Sequence, residues 1–174
     1  MARTALTLGL VLAALQVASA QGAPVTVGEA NAVLDKIDAS IRTVLKMPAA
    51  KPSTDKATRA VKRSEVIARL DAMFESYRPH YQFTPRPFRT EPEVAAKFNP
   101  DAKTKASIQK LARWGCIGPV GPLVTGPGDT MTTQVLGEAL GMFIAQIGGL
   151  TYFADPKWVP RIQPPERSGA GGGA

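Results

Sequence analysis

Between Gly115 and Gly128, eight of fourteen residues are glycine or proline. Proline lacks the amide hydrogen that a helix interior must donate, and glycine loses more conformational entropy on ordering than any other residue. No regular element fits that run, so a loop is expected there. Its flanks have helical spacing. Ile108, Leu111 and Ala112 share one face before it, and Val135, Leu136, Ala139, Leu140, Phe143, Ile144 and Ile147 share one after it. Gly115 suits the left-handed residue that closes the first helix, Asp129 or Thr130 can cap the second, and Gly148-Gly149 is expected to end it. Val120, Leu123 and Val124 interrupt the run and are expected to tuck it against the core. The chain is expected to be all-α, a small helical domain of helix–loop–helix units with Gly/Pro-rich loops.

Upstream, Ala30, Leu34, Ile37, Ile41 and Val44 alternate steps of four and three, which predicts an amphipathic helix from Glu29 to Met47, stopped by Pro48. Five turns are too short to be secure alone, so the seam must dock on its own domain or in a coiled-coil dimer. Residues 48–57 read as a linker. Val66, Ile67, Leu70, Met73, Phe74 and Tyr77 predict a second helix from about Thr58 to Tyr77. Residues 78–90 carry three prolines and read as an extended arm. Thr90 and Glu93 form a capping-box pattern for a short helix through Phe98, and Asn99-Pro100 is expected to open the next helix. Gly137, Gly141 and Ala145 lie four apart, so another helix could approach that face closely. Glu138 argues against a membrane span there. Residues 159–174 read as a low-complexity, disordered tail.

The first twenty residues have the layout of a secretory signal peptide: Arg3, an apolar stretch from Leu6 to Leu15, and Ala18-Ser19-Ala20 before Gln21. A retained N-terminal anchor is the competing reading. Processing would leave a net charge of about +6. That charge is uneven. Seven basic residues face two acids between Lys46 and Arg69, and there is no lysine or arginine from Trp114 to Pro156. On an exported protein a basic half suits anionic wall polymer, anionic lipid or an acidic partner, and export excludes nucleic acid.

Nothing in the sequence assembles a catalytic set. One histidine, His80, and one cysteine, Cys116, cannot make a zinc site, and no H-E-x-x-H, C-x-x-C, G-x-S-x-G or P-loop pattern occurs. Cys116 reads as a buried apolar thiol, with no activating base nearby in sequence. No enzyme, metal or cofactor is expected.

Several short stretches resemble the S-layer homology family of bacterial envelope modules. In that family a helix ends in a Gly-Ile-Ile-x-Gly segment, and Thr-Arg-Ala-Glu opens a second helix. Ser107–Leu111 is similar to the first helix, Gly115-Cys116-Ile117-Gly118 to its end, and Gly126-Pro127-Gly128-Asp129 to the loop exit. Thr130–Gln134 takes the place of the opening signature, with Thr132 where its arginine belongs and Gln134 where its acid belongs. Lys62-Arg63-Ser64-Glu65 looks like a fuller copy, Val25–Glu29 like a fainter one, and Tyr152–Asp155 with Trp158 like the start of a further unit. The likeness spans roughly residues 58–158. It implies an exported cell-envelope module that binds anionic cell-wall glycan non-covalently. Arg63 would grip a carboxylate, Glu65 would orient it and Lys62 would add charge. The alternative is an envelope module that binds other proteins, through the Glu29–Met47 seam or the Pro-rich arm, without binding glycan.

Overall fold

The computed structural model describes residues 24–82 and 96–151. Among them the fold is all-α. The helices are α1 (Val27–Leu45), α2 (Arg63–Tyr77), α3 (Ala102–Arg113), α4 (Pro122–Thr125) and α5 (Thr133–Thr151), with a 3-10 turn at Arg78–His80 after α2. The expected signal peptide, most of the Pro-rich arm, the start of the Thr90–Phe98 helix, the Tyr152–Asp155 stretch and the tail lie outside the described residues.

Three short segments organise the rest. Residues 24–26, 60–62 and 130–132 pair antiparallel in a closed cycle: Thr26 with Ala60, Lys62 with Thr130, and Thr132 with Pro24. The Val61 amide donates to the Val25 carbonyl (2.8 Å), the Val25 amide to Met131 (2.9 Å) and the Arg63 amide to Asp129 (2.7 Å). Each segment leads directly into a long helix, so α1, α2 and α5 start from one centre. The pairing fixes their register: Thr26, Lys62 and Thr132 are equivalent.

Counted from those residues, the buried positions coincide. One residue before them lie Val25, Val61 and Met131, which plug the centre of the ring. Four residues after come Ala30, Val66 and Leu136; eight after, Leu34, Leu70 and Leu140; eleven after, Ile37, Met73 and Phe143; fifteen after, Ile41, Tyr77 and Ile147. All belong to one hydrophobic core, which also takes in α3, Cys116, Leu123 and Val124. Four of the five α1 seam residues, Ala30, Leu34, Ile37 and Ile41, are therefore buried in this core, while Val44 is 42% exposed.

Local physics explains where the elements depart from expectation. α2 begins at Arg63 rather than near Thr58 because Ala60–Lys62 spend their backbone groups on the ring. α3 is capped by Asp101, whose carboxylate accepts the Thr104 amide at 2.7 Å, while Asn99 takes a positive φ of 52°. Residues 96–98 are not helical. The Gly/Pro loop holds one helical turn, α4, with Pro122 at its start, where the missing amide costs nothing. α5 runs through Gly148-Gly149 because Leu150 and Thr151 are buried beyond them, and the Leu150 carbonyl accepts the Gln82 amide at 2.8 Å.

The 48–57 stretch has no regular structure but is tied down. Asp35 accepts the Ser53 amide (2.8 Å), and Asn31 donates to the Asp55 carbonyl (2.9 Å). α3 is clasped to α2 by Lys110, which reaches Asp71 (2.6 Å) and Glu75 (2.7 Å). Phe74, Tyr81 and Trp114 cluster with centroids 5.3–5.7 Å apart, Phe74 and Trp114 edge to face and the other two pairs tilted.

Candidate functional site

The three residues expected to hold a ligand sit together at the start of α2, but the fold gives them different roles. Arg63 is only 2% exposed. Its Nε donates to the Gly128 carbonyl (3.0 Å), and Nη1 donates to the carbonyls of Pro122 (2.6 Å) and Leu123 (2.9 Å). Burial pulls its pKa down, and the nearby Asp129 charge partly opposes that. A guanidinium keeps its proton even so. Three charge-assisted bonds, two to carbonyls of α4 and one to Gly128 beyond it, make Arg63 the staple that fixes the loop. Its expected grip on a solvent-side carboxylate is therefore corrected to an internal one.

Glu65 does not orient Arg63. Its carboxylate accepts the Lys62 amide at 2.8 Å, closing the N-terminus of α2, and takes Arg59 in a two-pronged pair at 2.9 and 2.5 Å. Those donors, Arg59 first, hold the Glu65 pKa below the usual carboxylate range against a desolvation penalty. Glu29, its equivalent on α1, accepts the Thr26 amide at 2.9 Å and is lowered likewise. Lys62 is 59% exposed and stands 3.9 Å from Asp129. The cations this end presents to solvent are therefore Lys62 and Arg59, and Arg59 is one that sequence reasoning missed. Its signal was its position six residues before Glu65, on the extended approach to the ring.

The ring also corrects the register of the central unit. Lys62 is equivalent to Thr132, so the place of Arg63 falls on Val27 in α1 and Thr133 in α5. The place of Glu65 falls on Glu29 and Val135. Thr132 is the cap of α5, its hydroxyl accepting the Val135 amide at 3.4 Å.

Two clefts open near these elements. One, of about 150 Å³, lies between α1 and α2 under residues 53–55, with Val27, Asn31, Ser53, Asp55, Glu65 and Arg69 on its walls. The other, of about 170 Å³, is mostly apolar and lies between α5 and the loop, bounded by Ile117, Pro122, Leu123, Ala139 and Met142, with Glu138 beside them. Gly137 and Gly141 have open space where a Cβ would stand, so no described element makes the close helix approach expected on that face.

Cys116 is fully buried, and desolvation raises its pKa to about 12, which makes it an inert thiol at neutral pH. Among the described residues no three His, Cys, Asp or Glu side chains gather as metal ligands would, and no helix is long and apolar enough to cross a membrane. Comparison of the chain with protein-family models, curated proteins and solved structures gives no match.

Proposed function

We propose that this chain is an exported, non-catalytic module of the cell envelope that binds anionic cell-wall glycan non-covalently. The observation that carries this reading is the ring. The three stretches that resemble an S-layer homology signature, at Val25–Glu29, Lys62–Glu65 and Thr130–Gln134, each overlap one of the segments that pair cyclically and lead into the three long helices. Repeated signatures meeting at one centre are what a module built of such units requires. In this reading Lys62 and Arg59 supply the accessible charge, Glu65 holds Arg59 in place, and Arg63 maintains the loop beside them.

Co-sedimentation with purified cell-wall sacculi tests the reading. Binding is expected at low salt, weakening as salt rises, because exposed charges are screened. The double variant Arg59→Ala/Lys62→Ala is expected to lose most of it while remaining folded. Absence of binding at low salt, or binding indifferent to that variant, would sink the proposal.

A second reading, a protein–protein module of the envelope, is favoured by the α5 face. Met142, on the wall of the apolar cleft, is 48% exposed, and Val120, in the loop between the wall residues Gly118 and Gly121, is 70% exposed. Under that reading wall binding is absent, and Met142→Lys with Val120→Lys lowers recovery of partners from envelope extracts.

A further inference from the structure

The register that aligns Thr26, Lys62 and Thr132 gives the three long helices an equivalent outer face, and only two of its three copies are covered by described residues. On α2 that face holds Ile67, Asp71, Phe74 and Glu75. α3 lies across it: Lys110 reaches both carboxylates, the Ser107 hydroxyl donates to Asp71 at 2.7 Å, and Trp114 meets Phe74 edge to face. On α1 the matching positions begin with Asn31 and Asp35, which hold residues 53–55 by their backbone. Asn31 donates to the Asp55 carbonyl, and Asp35 accepts the Ser53 amide. On α5 they are Gly137, Gly141, Ile144 and Ala145, followed one turn on by Gly148. Gly137, Gly141 and Gly148 all have open space where a Cβ would stand. None of these five residues lines the apolar cleft beside the loop.

The composition of the bare copy says what fits it. Irregular backbone lies on α1 because two side chains there take up its amide and its carbonyl. Gly137 and Gly141 offer no such groups, so extended chain laid over them would keep unpaired polar atoms, whereas a helix satisfies its own. The helix over α2 brings an ammonium because Asp71 and Glu75 are charged. Gly141 and Ala145 take their places on α5, so a lysine there would be desolvated with no carboxylate to meet it. From Gly137 to Gly148 the face runs about 16 Å, the length of a three-turn helix. Its small residues let another backbone approach closely, and half-buried Ile144 remains for an apolar side chain to cover.

We propose that this face of α5 seats a helix presented by a protein partner, with an uncharged, apolar stripe over Gly141 and Ala145. The partner helix would stand on α5 as α3 stands on α2, without the ionic clasp. The seat is separate from Arg59 and Lys62 and does not depend on the wall-polymer reading.

The probe comes from the chain itself: a synthetic peptide of residues 100–115, which span α3, carrying Lys110→Leu. Amide NMR titration of the whole chain with this peptide should give saturable shifts at Gly137, Gly141, Ala145 and Gly148. The unaltered peptide, which keeps the lysine, should bind at least about tenfold more weakly. So should a Lys110→Leu/Leu111→Pro peptide, which cannot stay helical. Gly141→Leu in the chain should abolish the response and leave urea stability at or above the parent's, since leucine favours a helix over glycine. No saturable shift would overturn the proposal, as would equal binding by either control peptide or an unchanged response in Gly141→Leu. A loss of stability in Gly141→Leu alone would mean that the chain's own residues fill the face. Shifts there on diluting the chain alone would mean that a second copy does, and either result overturns it too.

Discussion

Replacing Arg63 is expected to cost stability rather than to remove a ligand contact. In Arg63→Ala, the Leu123 and Gly128 carbonyls lose their donor, while Pro122 keeps the Gly126 amide at 3.0 Å. The orphaned carbonyl of buried Leu123 costs about 1–3 kcal/mol, while Gly128 is exposed and its carbonyl can turn to water. The lost stem adds a cavity, and removing a buried cation with no carboxylate at hydrogen-bonding distance returns part of its desolvation cost. The net is a loss of about 2–4 kcal/mol, a large share of the roughly 5–15 kcal/mol typical of a domain. Arg63→Met, which keeps the stem and loses the donors, should fall about 1 kcal/mol short of that loss. Urea unfolding followed by far-UV circular dichroism measures both.

Gly126 supplies an independent arm. A Cβ there would stand 2.6 Å from the Pro122 oxygen and 2.7 Å from the Arg63 guanidinium carbon, so Gly126→Ala must push the arginine aside. Its cost should shrink by about 1 kcal/mol or more in the Arg63→Ala background, since the two residues share one contact. If Arg63→Ala lies within about 0.5 kcal/mol of the parent, or if the two changes add independently, the staple argument is wrong.

Further expectations follow from other parts of the fold. Gly141→Ala should stabilise the chain by up to about 1 kcal/mol, because the position is helical with open space for a methyl; a destabilised melt would mean that this face is packed in solution. Cys116 should resist iodoacetamide at pH 8 in the native state and react promptly in urea; fast native labelling would contradict its burial. Its raised pKa favours the protonated folded form, so its share of stability is intact below the ordinary thiol value of 9.0 and is lost as pH climbs towards about 12. Glu29, Glu65 and Glu75 are all lowered from 4.5, so theirs is intact above that value and is lost as pH falls through the lower folded values. Urea unfolding at stepped pH should show both flanks, and Glu65→Gln should flatten the acid one.

The sequence reveals much of this fold, and what it hides has physical causes. Ala30, Leu34, Ile37 and Ile41 announce α1 by spacing alone, and the same is true of α2 and α5. Helix starts depart from their local signals where the backbone has long-range partners: nothing local in Thr58–Lys62 says that Val61 will donate to Val25. Gly148-Gly149 looks like a stop because glycine usually is one, yet burial of Leu150 and Thr151 outweighs that propensity. The site was harder to read. Arg63 and Glu65 fit a binding motif as a string, but only the ring shows that one turns inward to the loop and the other outward to Arg59. The register that reveals this was present as matched apolar offsets from Thr26, Lys62 and Thr132.

The ring also bears on how the chain folds. Its closing contact joins Pro24 to Thr132, near opposite ends of the described sequence. Helical proteins usually fold fast because most of their contacts are local, but here the three long helices share a centre that exists only when distant segments have met. A chain cut before Asp129 would have one junction of three, Thr26 with Ala60, and the Arg63 amide would have lost its partner. Collapse to the final core should therefore be a late, cooperative step that waits for the last helix, and slower than the helix content alone implies.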